Sequence, residues 1–139
     1  MVKLIVGKKG TGKTKKIIAL ANDSLKVKGG SIVFLNKDNG TMYDLMHSIR
    51  MISMEEYEEV NNVDEYIGFL YGILSADHDI EVIFIDSILK QAHINLEHLP
   101  EFIDRVNIIS KKYNLDLVIS VSADIDELPN IKSEYELVS

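Results

Sequence analysis

Apolar and polar positions follow two distinct patterns along this chain. Four short runs are almost continuous in apolar residues, as in parallel strands that are buried on both faces: residues 2–6, 31–36, 81–86 and 116–122. A fifth, shorter strand is expected at residues 135–138. Between the strands, apolar residues recur at helical spacing, and a strand, a helix and a strand within about 35 residues make a right-handed βαβ unit. The pattern predicts an α/β fold with a parallel five-stranded sheet.

The helical segments lie between these strands. Apolar spacing predicts longer helices at residues 13 to about 28, 63–74 and 100–113. Gly29 and Gly30 are expected to end the first helix, because glycine tolerates the left-handed conformation of a helix cap. A short helix capped by Thr41 is expected over residues 41–49, and Ser53 is a candidate cap for the acidic segment that follows.

Length and composition narrow the class of protein. The 139 residues fit one domain, residues 1–139. The absence of cysteine excludes disulfide bonds and cysteine zinc sites, and the four histidines are scattered without metal-ligand spacing. No apolar run approaches the ~18 residues of a membrane span, and the sequence begins directly with a strand, so we expect a cytoplasmic protein. The net charge of −7 argues against binding of extended nucleic acid through its phosphates.

Basic residues are unevenly distributed on this acidic chain. Five of the fifteen fall close together: Lys8, Lys9, Lys13, Lys15 and Lys16. A focused positive site on an acidic protein suits a small polyanion better than a long duplex. For Lys15 and Lys16, a role as solvated residues of a helix face is an equal alternative.

The sequence GKKGTGKT at residues 7–14 fits the phosphate-loop pattern G-x-x-x-x-G-K-[ST] at every fixed position. It follows an apolar run and opens a helical segment, which is the context that the motif requires. A glycine-rich turn is the alternative. Glycines let successive N–H groups point into one concavity, where the helix N-terminus adds positive charge and Lys13 can reach the β and γ phosphates. The candidate nucleotide-binding residues are Gly7, Lys8, Lys9, Gly10, Thr11, Gly12, Lys13, Thr14 and Lys15.

A second motif ends the third strand. Four apolar residues precede Asp86, which is the Walker B pattern of a buried strand that directs a carboxylate into the crevice at the strand ends. Mg²⁺ takes one or two carboxylates together with phosphate oxygens, so Asp86 and the hydroxyl of Thr14 are the candidate metal ligands. The alternative is that Asp86 caps a helix beginning at Ser87.

With these two motifs the chain resembles the P-loop NTPases, and the resemblance implies a three-layer αβα sandwich that binds ATP, or another nucleoside triphosphate, with Mg²⁺. Five strands in this sequence order resemble the RecA-like ATPases and, nearby, the type II thymidine kinases. That branch implies the sheet order 5-1-4-3-2, in which the Walker B strand is not adjacent to strand 1.

The resemblance also suggests which residues take part in catalysis. Many hydrolases of this class carry Glu directly after the Walker B Asp, where this chain has Ser87. RecA-like enzymes can place an acid just past strand 2, where Asp38 stands, although an Asp in a KDNG loop is favoured as a turn former. Ser122 ends strand 4, where the related ATPases have a polar residue that senses the γ-phosphate. Lys13, Asp38 and Ser122 are therefore the candidate catalytic residues.

The transferring phosphoryl group usually needs an arginine as well. Arg50 and Arg105 are the only two in the sequence, and neither lies in a recognisable motif. A protein partner or a second copy of the chain is therefore expected to supply one, and the lone domain is expected to hydrolyse slowly.

Three functions are compatible with these residues. The first is a minimal ATPase or ATP-binding switch that acts with a partner or as an oligomer. The second is a small-molecule kinase of the nucleoside type, although the Asp-Glu pair after strand 3, the cysteines of a zinc lid and an arginine-rich lid are all missing. The third is an interaction module that binds nucleotide without catalysis.

Overall fold

A computed structural model describes residues 1–131 and 134–138, and these form an α/β structure around one parallel sheet. The strands are β1 (Val2–Gly7), β2 (Ser31–Asn36), β3 (Arg50–Ser53), β4 (Ile80–Ile85), β5 (Asp116–Ser122) and β6 (Glu134–Leu137). They lie in the order β3-β2-β4-β5-β1-β6, and every neighbouring pair is parallel. All the carboxyl ends of the strands therefore meet at one edge of the sheet.

The helices are α1 (Lys13–Ser24), α2 (Val63–Ala76), α3 (Ile88–Gln91) and α4 (Leu99–Tyr113). Short 3-10 turns occupy Met54–Tyr57, Leu96–His98 and Ile125–Glu127. Helix α2 begins where the Asn62 side chain accepts the Glu65 N–H at 2.8 Å, and α4 has Pro100 in its first turn, as the sequence predicts. None of the helices in the described residues combines the length and apolar character that a bilayer crossing needs.

The helices cover both faces of the sheet, which explains why the strands are almost continuously apolar. Alternate residues such as Phe34 and Phe84 pack with Ile17 and Ala21 of α1 on one face, where the two phenyl rings stack at 6.2 Å. The intervening residues pack on the other face against α2 and α4. This second group includes Val33, Leu35, Ile83, Ile85, Tyr66, Leu70, Phe102 and Val106. The predicted α/β class is confirmed, and the molecule has three layers.

The sheet has six strands, so the predicted number of five is wrong. The additional strand, β3, lies at the edge beyond β2, and the observed order differs from 5-1-4-3-2 by this addition. Strand β5 separates the Walker B strand β4 from β1, as expected. The sequence gives little sign of β3, because its four residues begin with an exposed charged one, Arg50, and end with a serine, and its two apolar residues are only partly buried.

The predicted helix over residues 41–49 and the two predicted caps, Thr41 and Ser53, are wrong. For the helix, the reason is that apolar spacing indicates burial more reliably than helicity. Residues 41–49 form turns, although Leu45 and Ile49 are buried beside α1 as a helix would have placed them. The Thr41 hydroxyl accepts a hydrogen bond from Asn36 at 2.9 Å and caps no helix. The Ser53 side chain is buried and makes no cap hydrogen bond to the 3-10 turn that follows.

The glycines after α1 also act differently from the prediction. Helix α1 ends at Ser24, and neither Gly29 nor Gly30 has a positive φ. At Gly30 a side chain is excluded for lack of space, because a Cβ there would lie 2.3 Å from the carbonyl oxygen of Asp79. Glycine is therefore required at position 30 for space, and neither glycine forms the predicted left-handed cap.

Candidate functional site

The loop between β1 and α1 is shaped by two glycines in left-handed backbone conformations. Gly10 has φ 84° and Gly12 has φ 91°, values that a residue with a Cβ rarely adopts. The carbonyl of Lys8 closes the turn by accepting both the N–H of Thr11 at 3.3 Å and its hydroxyl at 2.7 Å. The loop therefore curls between a strand and a helix, in the context that the phosphate-loop motif requires.

Gly7 is required for a different reason. A Cβ at this position would lie 2.3 Å from the carbonyl oxygen of Val138 and 2.7 Å from the Thr11 hydroxyl. The N–H of Val138 donates to the carbonyl of Val6 at 2.8 Å, so the segment after β6 is held against the base of the loop. Space fixes the first glycine of the motif, and backbone conformation fixes the next two.

Lys13 begins α1 and is buried, with 6% of its surface exposed. Its ammonium donates to the Lys8 carbonyl at 2.7 Å. Desolvation lowers the pKa of Lys13, the charge of Asp86 opposes this effect, and the charge of Lys90 adds to it. A buried ammonium whose hydrogen-bond partner is a neutral carbonyl is well suited to exchange that partner for an anion.

Asp86 lies directly after β4 and is buried, with 3% of its surface exposed. One carboxylate oxygen accepts the Thr14 hydroxyl at 2.8 Å, and the other accepts the Ser120 hydroxyl at 2.5 Å. Ser120 reaches it because β5 runs beside β4, with Ile119 level with Ile85. The two predicted metal-binding residues, Thr14 and Asp86, are thus in direct contact.

The chemistry of these side chains fits Mg²⁺, a hard cation that takes oxygen ligands. Thr14 and Asp86 supply a hydroxyl and a carboxylate side by side. No group of three or more His, Cys, Asp or Glu side chains suited to a metal occurs in residues 1–131 and 134–138. A magnesium ion here would therefore be held by one carboxylate, one hydroxyl and the ligand's own oxygens.

Ser87 turns the chain sharply between β4 and α3. It has a left-handed backbone with φ 59° and ψ 57°, and its N–H donates to the Ser120 hydroxyl at 2.6 Å. The hydrogen bonds given for the Asp86 carboxylate go to Thr14 and Ser120, and α3 has no side-chain cap bond. The geometry therefore does not support the alternative that Asp86 is a helix cap.

A buried hydrogen-bond network around Gln91 lies behind Asp86, and the sequence analysis missed it. The amide of Gln91 donates to the backbone carbonyls of Asp86 and, at 2.8 Å, Leu35, and its oxygen accepts the Tyr66 hydroxyl at 2.6 Å. Burial raises the pKa of Tyr66 well above its ordinary value, so this hydroxyl stays protonated. The available signal was a polar residue at an apolar position, since Gln91 follows the Walker B motif by one helical turn.

The phosphate loop and Asp86 line a cleft of about 360 Å³ at the carboxyl ends of the strands. Its lining residues are Lys9, Gly10, Gly12, Lys13, Thr14, Asn36, Lys37, Asp38, Thr41, Asp86, Ser87, Lys90 and Ser122. Ligands of open α/β sheets bind in such a crevice. The structure thus brings together most of the predicted site residues, including Asp38 and Ser122.

Four predicted residues lie outside this lining. Gly7, Lys8 and Thr11 border an adjacent groove, and Lys8 pairs with Asp124 at 3.1 Å. Lys15 is exposed on α1 and does not line the cleft. The predicted contribution of these four to binding therefore depends on the backbone of the loop more than on their side chains.

Asp38 and Ser122 differ in how they are held. A carboxylate oxygen of Asp38 accepts the N–H of Gly40 at 2.8 Å, which is the turn-forming role that the sequence favours. Ser122 ends β5 beside Gly7 of β1, partly exposed towards the cleft. Both remain candidates by position, and one oxygen of the Asp38 carboxylate is engaged in its turn.

Lys37 and Lys90 are cleft residues that sequence analysis missed. Lys37 directly follows β2, Lys90 lies on α3, and both are exposed. The charge of Lys37, and then that of Lys9, lowers the pKa of Lys90, while the charge of Asp86 opposes the shift. The signal in the sequence was their position, since each comes just after a strand that ends at the crevice.

The two arginines lie elsewhere. Arg50 begins β3 and contacts Asp77 at 3.5 Å, and Arg105 on α4 pairs with Asp64 and Glu101. Neither lines the cleft. The expected helix ending at Arg50 is absent, because this residue belongs to the edge strand.

Comparisons with known proteins give a match in structure only. No protein-family model matches this sequence, and no curated protein matches it either. Among solved structures, the chain is similar to a KaiC-like protein from the hyperthermophilic archaeon Pyrococcus horikoshii OT3, with a TM-score of 0.63 and 18% identity. The match covers 93% of this chain and 63% of that chain. This chain therefore shares its fold with that KaiC-like protein: a parallel sheet flanked by helices, with its loop and cleft at the carboxyl ends of the strands.

Proposed function

We propose that residues 1–139 form one P-loop domain that binds ATP, or another nucleoside triphosphate, together with Mg²⁺. The observation that carries the proposal is the contact between the Thr14 hydroxyl and the Asp86 carboxylate beside a curled glycine loop. Two motifs far apart in sequence meet in one cleft, at the distance that a shared metal ion would require. The similarity in fold to a KaiC-like protein supports the same conclusion.

The residues of the cleft can bind a triphosphate without large rearrangement. The N–H groups of the loop donate to phosphate oxygens in their concavity, and Lys13 exchanges the Lys8 carbonyl for a phosphate. Mg²⁺ bound with the nucleotide would neutralise phosphate charge. Thr14 and Asp86 would hold the ion, while the hydrogen bond from Ser120 keeps the Asp86 carboxylate oriented.

Hydrolysis by the lone chain is expected to be slow. Position 87 carries no acid, the Asp38 carboxylate is engaged in its turn, and both arginines pair with acids away from the cleft. Binding the ground state and the transition state equally well does not lower the chemical barrier. We propose that a partner, or a second copy of this chain, supplies an arginine.

A binding module without catalysis is the second candidate, and the engagement of Asp38 with the Gly40 N–H favours it. A nucleoside-type kinase, the third possibility, would require an acceptor site. Phosphate release from ATP separates these functions. Phosphate release without an acceptor, at a rate per chain that rises with protein concentration, indicates an ATPase that acts with a partner copy. Transfer to an added nucleoside indicates a kinase, and nucleotide binding without release or transfer indicates the module.

The proposal is tested by titration calorimetry with ATP in Mg²⁺ buffer. Lys13→Ala should weaken binding about ten- to a hundredfold, because it removes a charge-assisted contact of ~1.5–3 kcal/mol. Lys111→Ala is the matched control, since Lys111 is exposed in the last turn of α4, away from the cleft. If no nucleoside triphosphate binds the wild type at millimolar concentration, the proposed function is wrong.

A further inference from the structure

Two lysines outside the phosphate loop line the same cleft as that loop. Lys37 follows β2 and Lys90 lies on α3 after β4, and these two strands are neighbours in the sheet. The phosphate loop follows β1, which β5 separates from β4. Lys37 and Lys90 therefore line the cleft at the ends of β2 and β4, and the phosphate loop lines it at the end of β1.

The two ammonium groups are close to each other. Lys37 and Lys90 line the same cleft, and the charge of Lys37 is the largest cause that lowers the pKa of Lys90. No carboxylate in residues 1–131 or 134–138 forms an ion pair with either one. Like charges held this close repel one another, and an anion between them would relieve the repulsion.

The acids of the cleft do not offset these charges. Asp86 accepts hydrogen bonds from Thr14 and Ser120, and Asp38 accepts one from the backbone of its own turn. Four lysines therefore face two aspartates in the cleft of a chain with a net charge of −7. Positive charge concentrated in a crevice of an acidic protein attracts a small anion with several charges.

We propose that Lys37 and Lys90 form a lysine clamp that binds the terminal phosphate of a nucleoside triphosphate, and that this clamp makes the site select triphosphate over diphosphate. The inference rests on the proposed function and adds the specificity of the site. A diphosphate keeps its contacts with the phosphate loop and Lys13. It lacks the phosphate group that spans the cleft to the clamp.

The clamp differs in effect from an arginine supplied by a partner. It contacts a phosphate that is already charged in the ground state, so it contributes to binding and not specifically to the transition state. The structure thus separates two tasks. The clamp distinguishes the nucleotide with three phosphates, and catalysis still requires a group from elsewhere.

The experiment measures affinity for the β,γ-imido analogue of ATP, for ADP and for inorganic tripolyphosphate, in Mg²⁺ buffer. The variants are Lys37→Ala, Lys90→Ala and the double substitution, with Lys111→Ala as the charge-matched control. Each clamp variant should lose about tenfold in affinity for the ATP analogue, as expected for one charge-assisted contact, and less than about threefold for ADP. Lys90→Arg should retain most of the preference for triphosphate.

The outcomes separate the clamp from the proposed function. Equal losses for ATP analogue and ADP, or no loss for either, would overturn the clamp and leave nucleotide binding intact. If the wild type binds tripolyphosphate but no nucleotide, and Lys90→Ala weakens that binding, the clamp stands and the nucleotide function fails. Absence of binding to all three ligands rejects both. The two lysines are exposed, so unchanged thermal unfolding of the variants is expected and checks that they fold.

Discussion

Gln91→Leu is expected to destabilise the protein, because it removes a buried hydrogen-bond network behind Asp86. The amide of Gln91 joins the Tyr66 hydroxyl on α2 to the backbone carbonyls of Leu35 and Asp86 at the ends of two strands. Leucine keeps most of the volume and removes both polar ends. The substitution therefore isolates the effect of the hydrogen bonds from that of a cavity.

The magnitude follows from the partners that each group retains. The Leu35 carbonyl keeps the N–H of Asp86 at 3.1 Å, so it remains paired. The buried Tyr66 hydroxyl loses its acceptor, at a cost of about 1–3 kcal/mol, and the lost bond to the Asp86 carbonyl adds about 1 kcal/mol. The free energy of unfolding should fall by about 2–4 kcal/mol in total, which for 139 residues lowers the melting temperature by about 7–14 °C.

A double-mutant cycle with Tyr66→Phe tests the assignment by urea unfolding. Tyr66→Phe alone should cost about 1–2 kcal/mol, because it leaves the Gln91 oxygen without a donor. In the double variant neither group is orphaned, so its loss should be smaller than the sum of the single losses by about 1–2 kcal/mol. Losses that add within about 0.5 kcal/mol would show that the two side chains are not coupled and would refute the reasoning.

Three further predictions concern the cleft itself. Asp86→Asn should weaken triphosphate binding about tenfold or more in Mg²⁺ and little in EDTA; an equal loss in both buffers would limit Asp86 to a structural role. Single-turnover hydrolysis by the isolated chain should be slower than about 1 s⁻¹, and its rate should rise with protein concentration if copies complement one another. In the dilute chain, Arg50→Ala or Arg105→Ala should leave this rate unchanged. A fast rate that does not depend on concentration, and that either substitution abolishes, would contradict this. The pKa of Lys13 is lowered in the folded protein from an ordinary value near 10.5, so the unfolded chain binds the proton more tightly. The contribution of Lys13 to the free energy of unfolding therefore increases with pH between its pKa in the folded protein and its pKa in the unfolded chain. Lys13→Met should remove that contribution, as measured by urea unfolding of both proteins from pH 8 to 11.

The fold was predictable because strands that are buried on both faces are rich in apolar residues. The runs at residues 31–36, 81–86 and 116–122 each contain four apolar residues for this reason, and the structure confirms a strand in each. Strand β3 has no such apolar run, since it lies at an edge of the sheet and is only partly buried. The segment at 41–49 shows the opposite case, because helical spacing there reflects buried turn residues.

The candidate site was predictable as far as its motifs extend. Residues 7–14 and Asp86 have fixed spacing because backbone conformation and strand ends demand it, and the structure places Thr14 and Asp86 in contact. Their roles in binding stay predictions. Gln91, Lys37 and Lys90 belong to no motif. The adjacency of β2 and β4 brings Lys37 and Lys90 to the cleft, and the packing of α2 brings Tyr66 to Gln91 behind Asp86.

The position of β1 has a consequence for the order in which the protein folds. Val2 lies level with Leu117 of β5 and Lys3 with Glu134 of β6, so the first strand pairs only with strands near the other end of the described chain. Contacts between residues so distant in sequence form slowly, because a long loop must close before they contribute. Strands β2 and β4 can pair earlier during synthesis, whereas the glycine loop gains both of its neighbouring strands only after β6 has left the ribosome. A nascent chain that stops before β6 should therefore lack a finished phosphate loop, even with the rest of its sheet assembled.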